Sequence, residues 1–386
     1  MHKMKSFVSC AIALIIAAAA VLSVSASVEG VDSVYDSTSE YLCSGEAPSV
    51  GSIGGEWTVI GLARSGRITD SFAQGYYSNL AAYLKKAGKA QLDENKATEN
   101  ARVILALTAI KKDPSDVEGF NLFEPLSEMD FVTYQGINGA IWTLLAFDSY
   151  CYEIPISEEG KNQTTRESLI EAILDEQLND GGWDLVGISS DTDLTAMAIT
   201  ALAPYYDKYA EVKTAVDKAL DLLSSIQRDS GAFNTFGADS PETEAQVLTA
   251  LCSMGIDPTV DCRFLKNGKG CLDALMSFYI GGGFRHSLKT NEVNRMSTEQ
   301  AFYALTAYFR SLNAQTALFD MTDNAMKYDV NLDGRVDVTD ATAIQKLCAG
   351  LAKYNLLQHR LADADGNGSA DVVDATYIQK MLVKQG

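Results

Sequence analysis

From Ser27 to about Arg310 the chain repeats one pattern of apolar and polar positions. Four runs open on a threonine–acid pair, Thr98-Glu99, Thr192-Asp193, Thr243-Glu244 and Thr298-Glu299, and continue as alanine-rich stretches to Leu107, Leu202, Leu251 and Leu305. Two looser members begin at Glu56-Trp57 and Gln135. These runs are apolar on most faces, as helices buried all round are. The segments between them, such as Glu211 to Leu223, keep their charges to one face, as outer helices do. The spacing leaves room for one partner helix between successive runs, and little of the region reads as strand. The pattern predicts an all-α domain over residues 27–310, a six-hairpin α/α toroid with an inner ring wrapped by an outer one. An open solenoid is the alternative.

A different pattern occupies the C-terminal end. Asp329, Asn331, Asp333, Asp337 and Asp340 place side-chain oxygens at positions 1, 3, 5, 9 and 12 of a loop whose sixth residue is Gly334. Calcium takes six to eight oxygens, and a glycine at position 6 permits the sharp turn while position 7, here Arg335, offers its carbonyl. The pattern returns 34 residues on as Asp363, Asp365, Asn367, Gly368, Ser369, Asp371 and Asp374. A matching helix follows each loop, from Ala341 to Leu347 and from Ala375 to Met381. Two loop–helix units closed by aspartate, over residues 327–386, resemble a type I dockerin with EF-hand-like calcium loops. The resemblance implies two Ca²⁺ ions and a cohesin domain of a scaffoldin as partner, as in a cellulosome. It places recognition at Val338, Thr339, Gln345 and Lys346, and at Val372, Val373, Gln379 and Lys380.

Three turns in the large region, Gln177 to Trp183, Gln227 to Phe233 and Gly281 to Phe284, look like the Q-x(3)-G-x-W repeats of the terpene cyclase and protein prenyltransferase superfamily. In such a turn the glutamine can satisfy backbone groups orphaned at a helix end, glycine supplies positive φ, and the aromatic residue seals the hairpin. Asp191-Thr192-Asp193-Leu194-Thr195-Ala196 is similar to the DxDDTA acid motif of class II terpene cyclases. Asp193 matches the proton donor, but Leu194 replaces the last aspartate, which leaves a degenerate cyclase-like protein as one alternative. Asp261, Cys262, Cys271 and His286 lack the zinc spacing of the prenyltransferases, and no GCGEQ thioester motif is present.

Composition narrows the picture. A net charge of −20 repels nucleic acid and anionic membranes. Lys3, Lys5, an uncharged stretch from Phe7 to Val24 and small residues at Val24 and Ala26 have the form of a secretory signal peptide over residues 1–26. The signal predicts a secreted, extracellular protein, and the dockerin resemblance implies its association with a bacterial cell-surface complex. Beyond that segment the cysteines are Cys43, Cys151, Cys252, Cys262, Cys271 and Cys348, irregularly spaced and expected to be buried free thiols. Residues 311–326 read as a linker.

Inner helices of a toroid run parallel, so their acids should gather around one mouth. Acids at helix N-termini also complement the helix dipole by about 0.3–1 kcal/mol each, a sufficient reason for their presence. The functional expectation is that the mouth holds a glycan, with Asp193, Glu244, Glu299 and His286 as candidate catalytic groups. Trp57, Glu99, Tyr134, Trp183 and Arg285 are the candidate ligand contacts. Aromatic faces stack on sugar rings while carboxylates accept their hydroxyls. Polysaccharide hydrolysis, a lyase reaction using Arg285 and His286, and non-catalytic glycan or protein binding remain open, with polysaccharide the expected second partner.

Overall fold

The computed structural model describes residues 30–44, 48–235 and 237–385; the expected signal peptide lies outside them. Among the described residues the fifteen α-helices are α1 (30–43), α2 (Trp57–Arg64), α3 (Asp70–Ala87), α4 (Ala97–Ala109), α5 (Met129–Thr133), α6 (Ile137–Asp148), α7 (Arg166–Asp175), α8 (Thr192–Leu202), α9 (Ala210–Ile226), α10 (Pro241–Ser253), α11 (Cys271–Met276), α12 (Arg295–Leu312), α13 (Val338–Cys348), α14 (Leu356–Ala362) and α15 (Val372–Gln385). The described residues contain no strand, and none of their helices is long and apolar enough to cross a membrane.

The even-numbered helices from α2 to α12 touch in cyclic succession, and α12 returns to α2. Their sequences require such enclosure. In α10 every residue from Pro241 to Cys252 is buried, whereas α9 buries only the stripe Val212, Ala215, Val216, Ala219, Leu220 and Leu223. That stripe is the one-sided pattern of an outer helix. Six outer–inner pairs, α1/α2 through α11/α12, therefore alternate along the chain. Closure of the ring depends on Gly61 in α2, where a Cβ would lie 2.9 Å from the ring of Phe302 on α12.

The hairpin turns follow the expected chemistry. The Gln177 amide donates to the carbonyls of Gly181 and Ala215 at 2.8 Å, and the Gln227 amide to those of Gly231 and Phe264 at 2.9 Å. Gly231 has φ +85°, and a Cβ there would meet the Gly270 carbonyl at 2.7 Å. Glycine is needed on both counts.

Two expectations are corrected. Part of the linker, residues 316–324, is packed into the ring: Leu318, Phe319 and Met321 are buried. Arg64 binds the Leu318 carbonyl (2.9 Å) and Asp323 (2.6 Å), and Arg310 grips the same carboxylate at 2.5 Å. Tertiary hydrogen bonds thus hold a segment with no periodicity of its own. The six cysteines are unpaired, but only Cys252 and Cys271 are buried.

Behind this segment α13 and α15 pack on each other around Val330, Ala341, Ile344, Ala375 and Ile378. The sequence reading had no α14, which Asn355 and Gln358 open with a reciprocal capping box. Arg360 of α14 reaches Asp320 at 2.8 Å.

Candidate functional site

Five inner helices begin at Ala97, Ile137, Thr192, Pro241 and Arg295. Their second residues, Thr98, Asn138, Asp193, Glu242 and Met296, all line one cavity of about 530 Å³. So do their sixth residues, Arg102, Trp142, Met197, Gln246 and Gln300, and α2 adds Trp57. Residues four apart share a helix face, so five N-terminal turns present the same face to one axis. The caps that set this register on three of them are Asp191, Ser240 and Asn294, whose side chains accept from the backbone at Leu194, Thr243 and Ser297.

The fourth positions do something else. Asn100, Thr195, Glu244 and Thr298 accept the backbone N–H of Leu92, Trp183, Phe233 and Phe284 at 2.7–3.0 Å. They tie each incoming turn to its helix. Glu244 is thus the counterpart of Thr195 and Thr298, and the counterpart of Asp193 is Glu242, which the sequence reading missed. Aligning the runs on their threonine–acid pairs displaced α10 by two residues and α12 by three. The caps carried the correct signal.

The cavity wall mixes aromatic and polar side chains. Trp57 and Trp142 lie 5.0 Å apart, tilted by 55°, and Trp142 rests edge-on against Phe319 at 5.7 Å. Segment 316–324 therefore forms a layer beneath the cavity. The Gln246 amide donates to the Tyr303 hydroxyl at 2.6 Å. Asp193 accepts from Thr235 Oγ1 at 3.2 Å, and burial pushes its carboxyl up to about 6. Glu242 accepts from Ser297 Oγ at 2.5 Å, and both its oxygens lie 3.1 Å from His286 Nδ1.

The other expected residues stand away from the cavity lining. Glu299 is fully buried and accepts from the Gly54 backbone (2.8 Å) and Arg295 (2.6 Å). Glu56, equally buried, takes the Gly51 backbone, the Tyr76 hydroxyl and Arg102. Glu99 pairs with Arg102 at 2.5 Å. Burial raises the carboxyls of Glu56, Glu244 and Glu299 above the usual range, so these acids organise loops rather than face a ligand. Trp183 is fully buried, its indole donating to the Ile173 carbonyl, because the aromatic of each turn seals the hairpin from inside. The terminal nitrogens of Arg285 bind the carbonyls of Ser277 and Thr290, and Tyr134, 70% exposed, is not among the residues of the cavity wall.

The C-terminal loops share a set of backbone-to-carboxylate hydrogen bonds. In the first, the backbone N–H groups of Asp333 and Gly334 donate to Asp329, and those of Asn331 and Asp337 to Asp340. In the second, Asn367 and Gly368 donate to Asp363, and Asp365 and Asp371 to Asp374. Oxygens of Asp363, Asp365 and Asp374 converge within 4.8 Å of one another, a donor set of hard oxygens that suits a calcium ion. Val338, Thr339, Gln345, Lys346, Val372, Val373, Gln379 and Lys380 are all exposed.

Residues 327–383 match the family model of the Dockerin type I domain. Domains of this type bind calcium and occur in extracellular cellulosome components, and their presence implies a cohesin partner. No curated protein matches the chain.

Proposed function

We propose that the chain is a secreted component of a cohesin-organised assembly and that its ring cavity binds a neutral segment of polysaccharide. One Ca²⁺ ion is assigned to each loop, held by Asp329, Asn331, Asp333, the Arg335 carbonyl, Asp337 and Asp340, and by Asp363, Asp365, Asn367, the Ser369 carbonyl, Asp371 and Asp374. The exposed residues after each loop and along α13 and α15 are the surface offered to cohesin.

The observation that carries the cavity reading is the half-buried Trp57, backed by the buried Trp142, on a wall that also carries hydroxyl, amide and carboxylate groups. Sugars present apolar ring faces and hydroxyl edges, and such a wall meets both. The volume lies within the roughly 300–1,000 Å³ usual for ligand sites. The charges favour a neutral chain over a polyuronate. Arg102, the only lysine or arginine among the described residues of the cavity wall, is spent on Glu56 and Glu99, and the terminal nitrogens of Arg285, which lies off that wall, bind backbone carbonyls. A lyase would need a free cation to neutralise a uronate.

The test is calorimetric titration of the full chain, with calcium, against soluble neutral and uronate polysaccharides. Binding of a neutral glycan is expected, weakened at least tenfold in Trp57→Ala and in Gln300→Ala with circular dichroism unchanged. Tighter binding of polyuronates, or no binding to any glycan, would overturn the reading.

A further inference from the structure

We infer that the Glu242–His286 pair is the water-activating half of a hydrolytic site whose proton donor is Asp193. The inference rests on the glycan reading of the cavity and adds to it that the bound chain is cut.

The geometry is that of a held imidazole. Gly281 to Gly283 lead into Phe284, which is fully buried and tied to α12 by Thr298 and by the Asn294 N–H. Arg285 N–H binds the Phe278 carbonyl. The backbone entering His286 is therefore fixed on two sides, and its ring takes its place on the cavity wall. Nδ1 faces both oxygens of Glu242, a side chain only 10% exposed and anchored from behind by fully buried Ser297. With Nδ1 donating to the carboxylate, the basic lone pair belongs to Nε2, which has no hydrogen-bond partner among the described residues. A carboxylate in that position fixes the tautomer and stabilises the imidazolium that forms when Nε2 takes a proton.

Asp193 occupies the position equivalent to Glu242 on the neighbouring helix, and burial keeps it protonated to a higher pH than an ordinary aspartate. The two acids thus have different partners: Asp193 accepts from the Thr235 hydroxyl, whereas Glu242 accepts from Ser297 and faces the imidazole, so one is placed to give a proton and the other to hold a base. In the proposed step Asp193 gives its proton to the glycosidic oxygen as the bond from that oxygen to the anomeric carbon breaks. The oxygen of a water molecule forms the new bond to that carbon, and His286 Nε2 accepts the water's proton. One water is consumed, the products are an alcohol and a hemiacetal, and protons return to Asp193 and leave His286 through solvent. Attack from the face opposite the leaving group inverts the anomeric configuration. His286 is a catalytic residue in this scheme, and Glu242 is a positioning residue. The charged groups that bear on the ring are Glu242 of α10, Asp193 of α8 and Arg102 of α4, the last neutralised by Glu56 and Glu99.

The experiment runs binding and turnover separately on the full chain with neutral polysaccharides, following reducing ends and the anomer released. Expected are an inverted product and a bell-shaped pH profile, its alkaline limb set by loss of the Asp193 proton. His286→Ala should lose about 10²–10⁴-fold in kcat with binding intact, and added imidazole should restore part of the rate. His286→Asn keeps an N–H for Glu242 but lacks a base, so it should be as slow even if the alanine variant folds poorly. Glu242→Gln should lower kcat without raising KM. Binding without turnover, or turnover that His286→Asn leaves unchanged, overturns the dyad and spares the glycan site. Absence of both binding and turnover removes the glycan reading and the dyad with it.

Discussion

The ring and the C-terminal module both bury carboxylates at the starts of helices, and they use them in opposite ways. In the ring Glu56 and Glu299 are fully buried, and each meets a guanidinium together with a backbone amide from a loop it holds in place. In the module Asp340 and Asp374 are just as buried, yet each shares a twelve-residue loop with three other aspartates. Their hydrogen bonds come from their own loop. One region carries its countercharge in the chain, and the other must borrow it. The ring should therefore fold without metal, and the module should not.

The sharpest way to break this comparison is to withdraw calcium. With excess EGTA the module should lose its helical signal and its cohesin binding, while the ring keeps its own circular dichroism and melting temperature. At a free calcium concentration a thousandfold above Kd, each site stabilises the folded module by about 4 kcal/mol, more than a core this small can do without. An unchanged module in EGTA would end the contrast.

The ring side is tested next. Arg102→Met leaves the buried Glu56 carboxylate without its partner, and breaking a buried pair costs about 3–5 kcal/mol. Urea unfolding should show that loss, and the double variant Arg102→Met with Glu56→Gln should recover most of it. A single variant as stable as the parent would mean that Glu56 is not relying on its internal countercharge.

A smaller effect concerns Glu244, which accepts from the Phe233 backbone and, unlike Glu56 and Glu299, has no guanidinium partner among the described residues. Burial raises its folded-state pKa, so the fold favours the protonated form. That contribution is complete below the unfolded-state value and is lost as pH rises through the folded one. Glu244→Gln fixes the neutral form. It should match the parent near pH 4 and exceed it by about 1 kcal/mol or more at pH 8. Equal stability of parent and variant across that range would contradict the buried, protonated acid.

These residues also mark what the sequence made legible. The C-terminal module was readable because each loop pattern lies within twelve positions, where spacing alone determines geometry, and the family match covers both loops. The helices of the ring were readable because burial on every face leaves a compositional trace. The cavity was only half readable. A threonine–acid pair recurs along the chain, but it falls at different turns of α8, α10 and α12, and the cap residue counts the register instead. Counting from Asp191 and Ser240 leads to Asp193 and Glu242, whereas matching the pairs leads to Glu244. Trp183 and Trp142 are alike in sequence, and only tertiary packing sends one into a hairpin seal and the other to the cavity. The floor under Trp142 comes from Phe319, in a segment whose place is set by Arg64 and Arg310 from helices far away in the chain.

The smallest effect concerns the join between the two regions. Arg360 and Asp320 link α14 to the ring through side chains that are 51% and 27% exposed, and an exposed pair is worth about 0–1 kcal/mol. Arg360→Ala should therefore lower the stability of the calcium-loaded chain by no more than that in urea. Cohesin affinity should not change, because the surface assigned to the partner lies on α13, α15 and the residues that precede their helical faces, and none of it on α14. A loss above about 2 kcal/mol would carry a different meaning. The two regions would then unfold as one cooperative unit, calcium would support the ring through Asp320, and the division between a self-sufficient ring and a metal-dependent module would no longer hold.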